Sequence, residues 1–559
     1  MRRDLASLQA TTFDVIVIGG GISGACIAYD ASLRGLSVAL IERGDFGGET
    51  SAASSKLIHG GIRYLQQARI DKVLESATER AHLQRLAPHL IHWVPFLIPT
   101  HPGLRRGRPL LQTGMAAYEL LTRTANRRIT DPANRVPAGV YLGRAALAAR
   151  APALAARADV TGAHVLYESH LHSSERMTLA FVKSAVRHGA AVANYAPATR
   201  LIQSGGRLEG VTATDAMTGT SIDVRGRILV NAAGPWLAEL NDQLTLGGLR
   251  RAITGFSRGA HIITRSLIDQ FAVALPTARK ASTLVDRGGR HIFIIPWRGL
   301  SLIGTSDRPH AAGLERIVPE EEDVAALLAD VAAALPEVNL TRRDVRHAFA
   351  GLYPLTAGEL SPDVYQGSGN FQIIDHGRAG GIEGAISALG AKYTTARRLG
   401  ERATDLVCAK LGRTASVSRT ATTPLVGGEI DDLGGFTAEA VARHAPRLDP
   451  PAVRHLIRHY GTETDAVVDA ATGSPTGLAP LSSSRPSLEA EVTFAVDREM
   501  AVTLDDVVFR RTGLGTIGHP GDACLRRCAA LMADRLGWSA DETDRQLGTT
   551  AGRFLGGFA

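Results

Sequence analysis

The sequence predicts an α/β fold. A Rossmann-like domain is interleaved with a mixed-sheet domain, and a helical C-terminal domain follows. Three observations carry this prediction. Residues 13–18, FDVIVI, form an unbroken apolar run, as expected of a strand buried on both faces of a parallel sheet. A glycine turn, a helical pattern to about Leu33 and a second buried strand ending at Glu42 come directly after it. Beyond about residue 412 the pattern is helical, with TAEAVARHA, PAVRHLIRHY and GDACLRRCAALMADRL as its clearest stretches.

The first strand, turn, helix and second strand make one βαβ unit. Helical patterns follow at 70–87 and 109–123. Short strands and turns fill about 160–310, among them RILVNAAGPW at 227–236, a buried strand ending in a glycine turn. A helix is expected near 319–335, strands over 371–390 and a long helix from about Thr394. TASVSRTATTPLVGGEIDDLGG reads as a linker. The expected division is 1–90, 160–255 and 340–411 for the Rossmann-like domain, 91–159 and 256–339 for the mixed-sheet domain, and 412–559 for the helical one.

The chain has 559 residues, 45% hydrophobic and 21% charged, a soluble balance with room for two or three domains. It contains no run of 18 apolar residues, and MRRDLASLQATTFD lacks the apolar centre of a secretory signal. Four cysteines, Cys26, Cys408, Cys524 and Cys528, are too few for a disulfide scaffold and suit a reducing compartment. Cys524 and Cys528 lie one helical turn apart with no partnering pair, so they read as packing, and no metal site is expected. The net charge is +7, but the arginines are dispersed and aromatics are only 5%, which argues against nucleic acid. Only six of the 62 cationic residues are lysines, so Lys56 and Lys392, both in motif-like segments, stand out.

Gly19-x-Gly21-x-x-Gly24 lies between strand and helix, with Glu42 closing the next strand. The glycines permit a tight turn and close approach of a pyrophosphate. The helix start offers N–H groups and the positive dipole end, and the carboxylate can accept ribose hydroxyls. The site is therefore expected to bind a dinucleotide. Residues 50–65, TSAASSKLIHGGIRYL, follow that strand where the contacts of an extended FAD would fall. Their hydroxyls and backbone N–H groups suit a pyrophosphate and a ribityl chain, while Lys56, His59 and Arg63 supply positive charge. The expected FAD contacts here are Gly19, Gly21, Ile22, Ser23, Gly24, Glu42, Arg43, Thr50, Ser51, Ser54, Ser55, Lys56 and His59.

The run from Ser54 to Leu65 resembles the signature of the FAD-dependent glycerol-3-phosphate dehydrogenases, within the amino-acid-oxidase-like flavoproteins. The resemblance runs nearly end to end. Val230-Asn231-Ala232-Ala233-Gly234-Pro235-Trp236 resembles the family's second FAD-contacting turn. Phe293-Ile294-Ile295-Pro296-Trp297 and Ile303-Gly304-Thr305-Ser306-Asp307 resemble its substrate-domain strands, and Gly390-Ala391-Lys392-Tyr393-Thr394-Thr395 its lysine turn. Arg498 to Val508 and Arg510-Arg511-Thr512 match its helical cap. The resemblance implies FAD as cofactor, contacted also by Ala198, Ala233, Gly234, Gly390, Lys392 and Thr394. It implies a small polyol phosphate or related alcohol as substrate, whose carbon-bound hydride passes to flavin N5. His261 falls on the family's active-site histidine and is the candidate base. Lys392 is the candidate cation beside the flavin, and Arg63 and Tyr64 are expected to line the pocket. The resemblance also implies a quinone as electron acceptor, and a homodimer is a further expectation.

The departures gather around the substrate. The family's S-G-x-R-P-L strand reads Ala350-Gly351-Leu352-Tyr353-Pro354-Leu355, so Tyr353 replaces an arginine, and one hydroxyl cannot grip a phosphate as a guanidinium does. A second family arginine, after Ser361-Pro362, is also missing. Arg258 and Arg346 are the candidate replacements, with Arg258, His261 and Tyr353 the expected substrate residues. Either the reaction is retained in divergent form, or a less anionic alcohol, hydroxy acid or amine is the substrate. A catalytically weak FAD-binding protein is the third reading, and the retained Lys392 and His261 argue against it. Residues 100–128 mix arginines with apolar residues at helical spacing. Two readings stay open there: a membrane-surface helix and an ordinary packing helix. The expected location is the cytoplasm, with or without docking on the inner face of the cell membrane.

Overall fold

A computed structural model describes residues 1–554, apart from 66–67, 104–106, 243–252, 254, 277–290, 316, 356–369, 381, 415 and 475. The segment after Ser361-Pro362, where the second family arginine is missing, lies outside the described residues.

The first sheet has five parallel strands in the order Ala385–Leu389, Ser221–Asn231, Thr12–Ile18, Val38–Ile41 and Ala191–Ala193. Gln372–Asp375 adds an antiparallel edge, and Ala198–Ser204 with Arg207–Thr214 forms a hairpin leaning on Ser221–Asn231. The apolar runs explain the parallel core: all four residues of Val38–Ile41 are buried, as are Val15, Ile16, Val17 and Ile18. Helix Ile22–Leu33 is buried at almost every position between this sheet and helices Ser174–Arg187 and Ala396–Lys410. Small residues make that possible. A Cβ on Gly400 would come within 2.8 Å of the Cys26 backbone.

The second sheet is mixed and ten-stranded. Its long pairs are Gly255–Thr264 with Val345–Leu355 and Ile91–Thr100 with Gly162–Leu171. Leu300–Gly304 runs along the other side of Gly255–Thr264. Two of these strands, Gly162–Leu171 and Val345–Leu355, therefore sit in the other sheet from the one the expected division gives them. Helix Glu321–Ala334 covers this sheet, started by a capping box between Glu320 and Asp323.

The stretch read as a linker lies against the first sheet's helices. Tyr29 donates to the Thr423 carbonyl at 3.0 Å, Ser184 Oγ accepts from Val426 N at 2.9 Å, and Leu425 is fully buried. Helices follow from Leu433–His444 to Ala540–Gly552, as the pattern predicted. All four cysteines are buried and unpaired, and Cys524 and Cys528 sit in an apolar cluster with Leu525 and Met532. Among the described residues no helix is long and apolar enough to cross a membrane, and no cluster could hold a metal ion.

Candidate active site

The carboxyl ends of the parallel strands open onto a cavity of about 840 Å3 that continues to the second sheet. At its first end the glycine turn takes the shape the motif requires. Gly19 has φ +101°, and a Cβ there would lie 2.7 Å from the Ala232 carbonyl oxygen. A Cβ on Gly24 would collide with the Gly19 carbonyl oxygen, so Gly24 serves helix packing and does not line the cavity. The helix opens on Gly21, and Ile22 N donates to Ser51 Oγ at 2.9 Å, which ties the serine-rich loop to the turn. The Glu42 carboxylate is half-buried and accepts from Gly20 N at 2.6 Å and Gly44 N at 2.8 Å. Burial raises its pKa, and these two amides pull it back. Arg43 stacks on Trp236 at 3.6 Å.

The cavity is lined by Gly19, Gly21, Ile22, Ser23, Glu42, Arg43, Thr50, Ser51, Ser54, Ser55 and His59, and by Ala198, Ala233, Gly234, Gly390 and Thr394 across from them. Lys56 is a correction. It faces the core, where Nζ donates to Glu175 Oε1 and Oε2 at 2.8 and 3.0 Å, to Ser174 Oγ at 2.9 Å and to the Ala52 carbonyl at 3.2 Å. The charge expected on the cofactor is committed to a buried carboxylate.

At the far end His261, Arg63, Tyr64, Tyr353 and Lys392 line the same cavity. His261 Nε2 is 2.8 Å from Ser55 Oγ, and its ring stacks on Phe349 with centroids 5.1 Å apart. Gly304 leaves the space this ring occupies, since a Cβ there would collide with it. Burial, then the Lys56 charge, push the His261 pKa down to about 3, so the ring is neutral at ordinary pH. Lys392 Nζ is buried, has no hydrogen-bond partner and lies 4.3 Å over the Tyr64 ring. Burial lowers its pKa to about 8, with Glu75 raising it and Lys72 and Arg69 lowering it further.

Arg258 is the second correction. Ser257, Gly259 and His261 alternate along their strand toward the cavity, so Arg258 faces the opposite way. There its guanidinium bonds Asp323 at 2.9 Å and Glu320. Arg346, the other candidate replacement, is exposed on its strand and does not line the cavity either. Sequence reasoning assigned no role to Asp307, which lines the cavity and accepts from the Ser257 hydroxyl. The signal was an acid three residues after a strand end, in a motif already singled out.

These residues fit an FAD. The turn has the close-approach glycines, the helix start and the strand-end acid that a dinucleotide needs, and the Lys392 ammonium lacks the acceptor that a bound cofactor or anion would provide. Comparison with known proteins agrees. Residues 14–406 match the FAD dependent oxidoreductase family, and residues 418–543 match the C-terminal domain of alpha-glycerophosphate oxidase. The glycerol-3-phosphate dehydrogenase of Synechocystis is 33% identical over 98% of this chain and 97% of its own length. The human mitochondrial glycerol-3-phosphate dehydrogenase is 32% identical over 99% of this chain and 74% of its own length. A crystal structure of the glycerol-3-phosphate dehydrogenase from Bacillus halodurans, complexed with FAD, superposes with a TM-score of 0.77 at 26% identity, covering 98% of this chain and 96% of the other.

Proposed function

The chain belongs to the FAD-dependent glycerol-3-phosphate dehydrogenases, and from that premise we propose that it oxidises the secondary alcohol of glycerol 3-phosphate to dihydroxyacetone phosphate. The observation that carries the reading is the pairing, in one cavity with the dinucleotide turn, of a neutral histidine and an ammonium without a partner. FAD, when bound, supplies the two-electron acceptor that takes the hydride from the alcohol carbon.

The chain's own residues do the rest. His261 is neutral and takes the hydroxyl proton at Nε2 once the substrate hydroxyl displaces Ser55 Oγ, which lies 2.8 Å from that nitrogen, while stacking on Phe349 keeps the ring oriented. A ring whose pKa is pushed down to about 3 by burial holds a proton poorly. An anionic substrate in the cavity offsets that cost, so proton abstraction is tied to a loaded pocket. Lys392 places positive charge where negative charge develops during the transfer. Arg63 and Tyr64 line the wall beside it, and Arg63, Arg69 and Lys392 are the described arginines and lysine lining the cavity at this end.

Tyr353 supports a second reading. It lines the cavity where the family carries an arginine, and neither Arg258 nor Arg346 replaces it. A less anionic alcohol, hydroxy acid or amine is the substrate on that reading. Anaerobic mixing of the flavin-loaded protein with each candidate separates the two. Glycerol 3-phosphate should bleach the visible flavin absorption, with half-saturation in the usual range of about 1 μM to 1 mM. Bleaching by other compounds alone would favour the second reading.

For the electrons we propose a quinone, met by a cytoplasmic protein docked on the inner face of the cell membrane. Helix Arg108–Arg127 turns Met115, Tyr118, Thr122 and Ala125 inward and leaves Leu110 and Leu120 57% and 71% exposed among arginines. Co-sedimentation with anionic vesicles that fails at low salt would count against docking. A homodimer is part of the same reading, and sedimentation equilibrium tests it.

A further inference from the structure

Asp45 lines the cavity, yet its carboxylate is wholly taken up by other parts of the chain. Arg511 Nη1 and Nη2 donate to it at 2.7 and 2.9 Å, Arg510 Nε at 2.7 Å and Asn194 Nδ2 at 3.0 Å. Asp45 is 5% and Arg511 1% exposed. Both arginines come from the helical C-terminal region, where Arg511 also donates to the Glu499 carbonyl at 2.9 Å and Arg510 bonds Asp506. Asp506 in turn accepts from Tyr195 Oη at 2.6 Å, and Met500 O accepts from Asn194 at 2.9 Å.

On the other side Asp45 belongs to the segment that shapes the dinucleotide turn. Glu42, three residues earlier, holds Gly20 and Gly44. Gly47 N donates to the Gly20 carbonyl at 3.0 Å, and Gly48 N to the Asp45 carbonyl at 3.1 Å. Tyr195 N and Ala196 N donate to the Gly44 and Glu42 carbonyls, both at 2.8 Å. Residues 42–48 are thus gripped from one side by the glycine turn and from the other by Arg510 and Arg511. Charge-assisted, bidentate bonds between buried partners are the strong kind and fix geometry closely.

We infer that Arg510 and Arg511 are positioning residues for the FAD site: they hold Asp45, and through it the 42–48 loop, so that packing of the C-terminal region and binding of FAD reinforce each other. The inference rests on FAD as the cofactor of this cavity. Coupling between two sites is reciprocal, so it has two readouts. In the full-length protein stripped of flavin and titrated with FAD, R511Q and D45N should each raise the FAD Kd at least tenfold. R511Q/D45N together should be no worse than D45N alone, because D45N already disrupts the Arg511 contact. A purely structural role would lower the melting temperature of R511Q and leave its FAD Kd within twofold of the parent, which would overturn the inference. The parent protein gives the second test and does not depend on how the variants fold. Amide hydrogen exchange over 499–512 should be faster without FAD than with it, and equal exchange would also overturn the inference. A parent that binds no FAD at all would instead remove the cofactor reading beneath it.

Discussion

Two lysines in a chain with six occupy motif-like loops on facing sides of one cavity, and they live in opposite circumstances. Lys56 is buried with its charge matched: Glu175 takes two of its hydrogen bonds, and Ser174 and Ala52 take the others. Lys392 Nζ is buried without a hydrogen-bond acceptor, over the face of Tyr64, with Glu75, Lys72 and Arg69 farther off. A buried ion pair with all its hydrogen bonds made has its energy invested in the fold, whereas a buried ammonium without an acceptor is a cost to the fold that something else must justify. The contrast separates a lysine that builds the site from a lysine that works in it. Burial alone does not distinguish them.

The sharpest test of that contrast is to remove each charge. K56M leaves Glu175 buried and uncompensated and should cost about 3–5 kcal/mol in unfolding free energy, read by urea denaturation, with most of it recovered in K56M/E175Q. The protein that remains folded should keep a kcat near the parent's. K392M should do the reverse. Loss of one preorganised charge should lower kcat by about 10²–10³-fold, or about 2.7–4 kcal/mol, while the unfolding midpoint stays put or rises. If K392M unfolds as K56M does, the two lysines are alike and the comparison fails. A pH profile sharpens it further. The Lys392 pKa is lowered to about 8, so the ammonium is present on the acid side of that value and lost above it. The parent's kcat should fall as pH climbs through about 8, and K392R should carry its activity well past that point. The smallest effect is expected at the wall without a cation. Y353R should tighten the KM for glycerol 3-phosphate by about tenfold, the worth of a hydrogen bond to a charged group of about 1.5 kcal/mol. An unchanged KM would place the phosphate elsewhere in the cavity.

The dinucleotide end was legible because its logic is local. Strand, turn, helix and acid fall within about thirty residues, and each implies its neighbour. Lys56 was misread because its partner, Glu175, is 119 residues away, and no spacing rule connects them. Arg258 need not have been misread. His261 three positions later on the same strand already puts the two on opposite faces. The stretch 414–435 has the composition of a linker, yet Leu425 and Val426 in its middle are apolar and become buried, a signal that small and polar neighbours masked. The sheet exchange of Val345–Leu355 was out of reach, since its partner strand is set by long-range pairing that the pattern of one strand does not name.

The bond between Asp45 and Arg511 spans 466 residues. A ribosome adds roughly 5–20 residues per second, so about 20 to 90 seconds separate the emergence of the aspartate from that of its arginine. Through that interval the nascent dinucleotide turn carries a carboxylate whose burial is not yet compensated, and the loop beside it has nothing to close against. The glycine turn is made long before the arginines that finish it. Synthesis interrupted before residue 510 should leave a flavin site that is written in full and lacks the two arginines that hold Asp45.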